Sequence, residues 1–149
     1  MTTFRPDLLI KNFDGDPIAV VEVKAMSNLT RDEATVIRQN MLARGLPAHV
    51  PYFLLLSQDV GYLWKESKQY GASETPMYEF PMDKVMNRYL DKEAQERLYG
   101  SVLELVMLQW LDNLSTKPQI LTEEPEKTLA QAGFNDSIKG AMVLMEGTL

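Results

Sequence analysis

Cysteine is absent from the sequence, which excludes disulfides, thiolate metal sites and a cysteine nucleophile. No stretch approaches the uninterrupted apolar length of a membrane span. The opening residues, MTTFRPDLLI, lack the basic region and apolar core of a secretion signal, so a cytoplasmic location is the expectation. In that setting the sequon-like Asn28-Leu29-Thr30 is a coincidence of sequence. A Walker loop, a glycine-rich dinucleotide turn, a GxSxG elbow and an HExxH helix are also missing. Positive charge is in short supply. Lysine and arginine number 15 against 21 aspartates and glutamates, a net charge of −6. Residues 1–70 hold eight of each sign, whereas residues 71–149 hold seven basic and thirteen acidic side chains. Any nucleic-acid contact must therefore use a local basic surface, because bulk attraction is absent.

What is present suits one α/β domain over residues 1–149, large enough for a genuine core. The motif-bearing part spans residues 4–66 and a helical part residues 83–149. Phe4–Lys11 and Ile18–Lys24 read as strands, and Asp14-Gly15 between them is a hairpin signal. Thr30-Arg31-Asp32-Glu33 has capping-box form, opening a helix that runs to about Arg44, with Gly45 as its left-handed cap and Ala34, Ile37 and Met41 inward. Tyr52–Leu56 is apolar without alternation, as in a central strand covered on both faces. It should lie parallel to Ile18–Lys24, since a helix joins the two. Val60–Lys65 alternates like a strand nearer the edge, and Lys65–Pro81 reads as a long exposed connection. Asp83–Leu90 reads as a helix, Lys92–Leu114 as one long helix with Leu98, Val102, Leu105 and Leu111 inward. Lys117–Glu126 then reads as a surface loop, Lys127–Ile138 as a short helix, and Met142–Met145 as a last strand after a break at Gly140.

Charges interrupt the first two strands. With Asp14 and Gly15 at the centre of the turn, facing residues have numbers summing to 29, so Asp7 lies opposite Glu22 and Arg5 opposite Lys24. Facing residues share a side of the sheet, with Cβ atoms about 5 Å apart. Glu22 and Lys24, two residues apart, share that side too. Leu8, Ile10, Val21 and Val23 take the other. Two facing carboxylates repel unless a proton or a cation lies between them. A hard cation such as Mg²⁺ is held by one or two carboxylates with waters and phosphate oxygens, and Lys24 could touch a water or phosphate there. A cross-strand ladder of surface ion pairs among Arg5, Asp7, Glu22 and Lys24 is the competing reading.

The residues Pro6-Asp7, a gap of fourteen, then Glu22-Val23-Lys24 resemble the PD-(D/E)xK motif of the restriction-endonuclease-like nuclease superfamily. The expected hairpin, crossover helix and buried strand follow in that family's order. The resemblance implies a mixed sheet flanked by helices and an Mg²⁺- or Mn²⁺-dependent endonuclease acting on DNA. It assigns Asp7, Glu22 and the backbone carbonyl of Val23 as metal ligands and Lys24 to the attacking water. An inactive domain of the same fold, used in protein interaction or assembly, is the alternative. The family's usual helix and strand before the Asp strand, often the source of another acidic ligand, have no counterpart in the six residues before Asp7. The long helix or the terminal segment would have to fill that space, with Glu93, Glu96 and Glu104 as candidate acids. A Gln-x-x-x-Tyr signature found in some members fails, because Ala43 follows Gln39 at the tyrosine position. Arg38 and Gln39 stand as phosphate-contacting or site-bridging candidates, with a plain polar helix face as the other reading. Two sites for two DNA strands would suit a homodimer, for which the apolar face of Lys92–Leu114 is available. Tyr62, Trp64 and Lys65 have the residue types of a base-stacking platform, although Trp64 also suits sheet packing. His49, before Val50-Pro51, reads as structural or solvent-facing, and the nine methionines as adaptable core filling.

Overall fold

A computed structural model describes residues 5–46, 49–66, 74–117 and 121–145. The expected hairpin forms from β1 (Leu8–Lys11) and β2 (Pro17–Val23). Its pairs Leu8↔Val21, Leu9↔Val20 and Ile10↔Ala19 hold the register read from the sequence. The turn differs in detail. A bulge between Ile10 and Lys11 shifts the last pair, and Asn12–Asp16 close a wider loop. The Asn12 carboxamide oxygen accepts from the amides of Asp14 and Asp16, and Gly15 takes a φ of 87° that favours glycine. Because the bulge lies at the turn end, it leaves the open end of the hairpin in register.

From β2 the chain enters α1 (Arg31–Ala43), whose capping box is complete in both directions. It returns as β3 (Tyr52–Leu56), buried along its whole length and parallel to β2. Strands β4 (Val60–Lys65) and β5 (Tyr78–Pro81) complete one side of the sheet. The exposed connection expected over Lys65–Pro81 is corrected here: its last four residues pair with β4, and Phe80 is buried over Gly61, where a Cβ would come within 2.1 Å of the ring.

Four helices follow: α2 (Asp83–Tyr89), α3 (Lys92–Glu96), α4 (Gly100–Thr116) and α5 (Glu126–Gln131). The single helix read over Lys92–Leu114 is thus two, because Tyr99 is extended and caps α4 afresh. That break resets the helical phase. Leu103, Val106, Met107, Trp110, Leu111 and Leu114 face the core, while Leu105 is 57% exposed and Leu98 and Val102 lie at the margin. The short α6 (Phe134–Ser137) follows α5 after Gly133, whose φ is 82°. Finally β6 (Met142–Met145) pairs antiparallel with β1, so the sheet order is β5-β4-β3-β2-β1-β6.

Alternation along the strands sorts the core into two layers. Leu8, Ile10, Val21, Leu54 and Leu63 pack against α2, α4, α5 and α6, whereas Val20, Phe53, Leu55 and Trp64 pack against α1. At the far end of the helical layer Glu126, placed in a surface loop by its sequence, is only 2% exposed. It accepts from the Arg88 guanidinium at 2.8 and 2.9 Å and from the Trp110 indole at 2.9 Å, tying α2, α4 and α5 together. Among the described residues no helix is long and apolar enough to cross a membrane.

Candidate active site

The open end of the hairpin is where the charged residues meet. Extending the β1–β2 register by one residue sets Asp7 opposite Glu22, and the two carboxyl groups are hydrogen-bonded. Glu22 alternates with Val21 and Val23, so its side chain leaves the sheet on the α1 side beside Val20 and Leu55. It is 6% exposed. Asp7 Oδ2 also accepts the Val23 amide at 2.8 Å, standing in for a ladder carbonyl. One step further, Pro6 falls opposite Val23 and has no N–H to give the Val23 carbonyl. The Pro-Asp pair therefore does two things at once: it ends the ladder and puts a carboxylate in its place.

A third acid arrives from the other layer. Glu104, on the second turn of α4, is hydrogen-bonded to Asp7 and acts electrostatically on Glu22. Of the three acids named as candidates for the missing position, Glu104 is the one brought to the pair. Glu93 and Glu96 lie on α3, exposed. β6 lies beside β1, and α4 carries Glu104 to Asp7 just before the start of that strand.

Electrostatics follow from this crowding. Burial, the hydrogen bond to Asp7 and the charge of Asp7 push the Glu22 carboxyl up to about 9, with Lys24 pulling the other way and Glu104 adding to the rise. Glu104 is raised too, by burial, then by the charge of Asp7 and the bond to it. At neutral pH the Glu22 carboxyl thus keeps its proton, and Asp7 lies between it and Glu104. The three acids form a chain rather than a cage. Among the described residues no group of three or more histidine, cysteine and acidic side chains is disposed to hold a metal ion.

Lys24 stands just past β2 on the same side as Glu22, its amide bonded to Leu56 O at 2.9 Å. The segment behind it is pinned at several points. Asn28, with a φ of 58°, donates its amide to Asp59 Oδ2, and Gln58 Nε2 donates to Ser27 Oγ. The buried Tyr62 hydroxyl donates to Leu29 O at 2.6 Å, and its pKa is pushed up to about 12 by burial first and by the charge of Glu79 next. Tyr62 and Trp64 are each 2% exposed, so the base-stacking platform read from them is corrected: they are core. Trp64 also donates its indole N–H to Glu74 O. Arg38 lies elsewhere than the carboxyls, its guanidinium 5.3 Å from the Trp64 ring centre and 5.8 Å from that of Phe53. Gln39, its neighbour, is partly buried. His49 is solvent-facing, 3.5 Å from Glu66.

Comparison with known proteins adds nothing to this geometry: no family model, curated protein or solved structure matches the chain.

Proposed function

We propose that the protein is a metal-dependent phosphodiesterase of restriction-endonuclease-like fold that cuts DNA at the Asp7–Glu22–Lys24 site. The observation that carries this reading is the convergence of Asp7, Glu22 and Glu104, with Lys24 beside Glu22, at the open end of the hairpin. The superfamily's order of hairpin, crossover helix and parallel strand has counterparts in β1, β2, α1 and β3. Its initial helix and strand have counterparts in α4 and β6, supplied from the far end of the chain as in a permuted version of that core.

The donor set suits a hard cation. Two carboxylates and the Val23 carbonyl are all oxygen, the pattern for Mg²⁺ or Mn²⁺ with the remaining positions left to water and phosphate. Asp7, Glu22 and the Val23 carbonyl would hold the cation, Glu22 giving up the proton it keeps up to about 9, and Glu104 would take the place of the family's extra acid. Bound there, the cation would polarise a phosphoryl oxygen and acidify water. Lys24 orients the attacking water and offsets charge developing on the phosphoryl oxygens. Water oxygen bonds to phosphorus as the phosphorus–ester oxygen bond breaks, and the departing oxygen takes up a proton.

A second reading is favoured by the raised Glu22 carboxyl, the uncaged arrangement of the three acids and the acidic second half: an inactive nuclease fold used in protein assembly. Cleavage of supercoiled plasmid and of single-stranded DNA with Mg²⁺ or Mn²⁺ separates the two. Wild type should cut, and Asp7→Asn and Lys24→Ala should each slow cutting by about 100-fold or more. No cutting of either substrate, with no thermal shift on adding Mn²⁺, overturns the enzyme reading.

A further inference from the structure

Lys24 also borders a groove of about 570 Å³, which it shares with Met26, Asp32, Glu33, Val36 and Ile37. The groove runs between the end of β2 and the first two turns of α1. Its floor is aliphatic. Val36 is 53% exposed and Met26 39%, and Ile37 is half-buried against the layer beneath. Its rim is acidic, because Asp32 and Glu33 stand one helical turn before Val36 and Ile37 on the same faces of α1. Glu33 is already engaged in the capping box, while Asp32 is exposed at the edge.

We infer that this groove receives an unpaired nucleobase beside the phosphate held at Asp7, Glu22 and Lys24, which makes single-stranded DNA the preferred substrate over continuous duplex. The inference rests on the phosphodiesterase reading for the phosphate, and the groove adds the base. Position comes first: Lys24 lies next to Glu22 and also lines the groove, so a nucleotide with its phosphate at one has its base within reach of the other. Shape and chemistry agree. A flat base can lie on an aliphatic floor, and carboxylates accept hydrogen bonds from exocyclic amino groups while repelling phosphate. The backbone is thus kept out and the base let in. Duplex DNA has its bases stacked and paired, leaving none free to enter. Tight duplex binding also calls for many neutralised phosphates, whereas the acids that share the groove with Lys24 are Asp32 and Glu33.

The test measures binding by fluorescence anisotropy, in Mg²⁺, of a labelled 12-nucleotide strand and of the same strand in duplex. The full chain is used as wild type, Val36→Asn and Val36→Leu. Val36 is exposed, and the Asn change is neutral, so fold and charge are left alone. Wild type should bind the single strand at least tenfold more tightly than the duplex. Val36→Asn should weaken single-strand binding at least fivefold and leave the duplex unchanged, with Val36→Leu close to wild type. Duplex binding equal to or tighter than single-strand binding, or single-strand binding indifferent to Val36→Asn, overturns the inference. Cleavage measured alongside keeps the two claims apart. Single-strand binding with the expected Val36 dependence but no cutting upholds the groove and removes the enzyme. Cutting of both substrates alike, untouched by Val36→Asn, upholds the enzyme and removes the groove. Neither binding nor cutting removes both.

Discussion

Glu22 and Glu126 are both glutamates and both nearly inaccessible, yet their surroundings push them in opposite directions. Around Glu126, burial favours the neutral acid, but the Arg88 guanidinium and the Trp110 indole outweigh it and hold the carboxyl below its usual range. Around Glu22, burial and Asp7 act together, and Lys24 offsets them only in part. One glutamate is held ionised by an arginine and an indole; the other is held neutral beside a second carboxyl. A buried acid paired with a cation of the protein is held ionised, whereas one beside another acid is held neutral, and perturbed acids of the second kind concentrate at functional sites.

The sharpest way to break the comparison is to remove each carboxyl. Glu126→Ala leaves Trp110 and Arg88 without their acceptor, and should cost about 2–3 kcal/mol in urea unfolding, less than a fully buried pair because Arg88 is partly solvated. A loss near zero would make Glu126 incidental. The pH profiles should differ in sign. Glu126, depressed in the folded state, contributes stability above its unfolded value near 4.5, and this is lost as pH falls through the folded value. Glu22, raised to about 9 from 4.5, contributes stability fully present below 4.5 and lost as pH climbs through about 9. The metal-free protein should therefore melt at a lower temperature at pH 9 than at pH 6, and Glu22→Gln should flatten that slope.

Mn²⁺ sharpens the contrast from the other side. If the trio takes the ion, the rise in Tm on adding it should be larger at pH 9 than at pH 6, because binding must displace the proton on Glu22. Glu104→Gln should reduce that rise and Glu126→Gln leave it alone; equal shifts in all three proteins would sever Glu104 from the site. The smallest effect belongs to Glu22→Gln at pH 7, expected within about 1 kcal/mol of wild type, since the amide resembles the protonated acid in shape. A loss as large as that of Glu126→Ala would show Glu22 to be a structural ion after all.

Much of this was legible before any coordinates. The Asp14-Gly15 turn set the hairpin register that faces Asp7 with Glu22, and the real loop kept that register although it is wider and bulged. Thr30 and Glu33 announced α1, and the unbroken run Tyr52–Leu56 announced the buried strand. Reading failed where two signals competed. Tyr62, Trp64 and Lys65 have the composition of a stacking platform, but strand alternation and the cover of α1 put both rings inside. Lys92–Leu114 has an apolar spacing that crosses the break before Gly100, so Leu111 is inward as its spacing suggests and Leu98 packs at the margin, whereas Leu105 faces solvent. Glu126 looked like one more acid in an acidic loop, because nothing local reveals an arginine 38 residues away.

Periodicity, turn chemistry and capping act over a few residues, so the sequence by itself determined the hairpin, its register, the helix that follows and the pair Asp7–Glu22. Which distant acid joins that pair depends on how α4 and β6 pack against the strands, and packing is settled by the whole apolar surface at once. Glu93, Glu96 and Glu104 are alike as letters. Only the tertiary structure, by ending α3 at Glu96 and starting α4 at Gly100, carried Glu104 to Asp7 and left the other two in solvent.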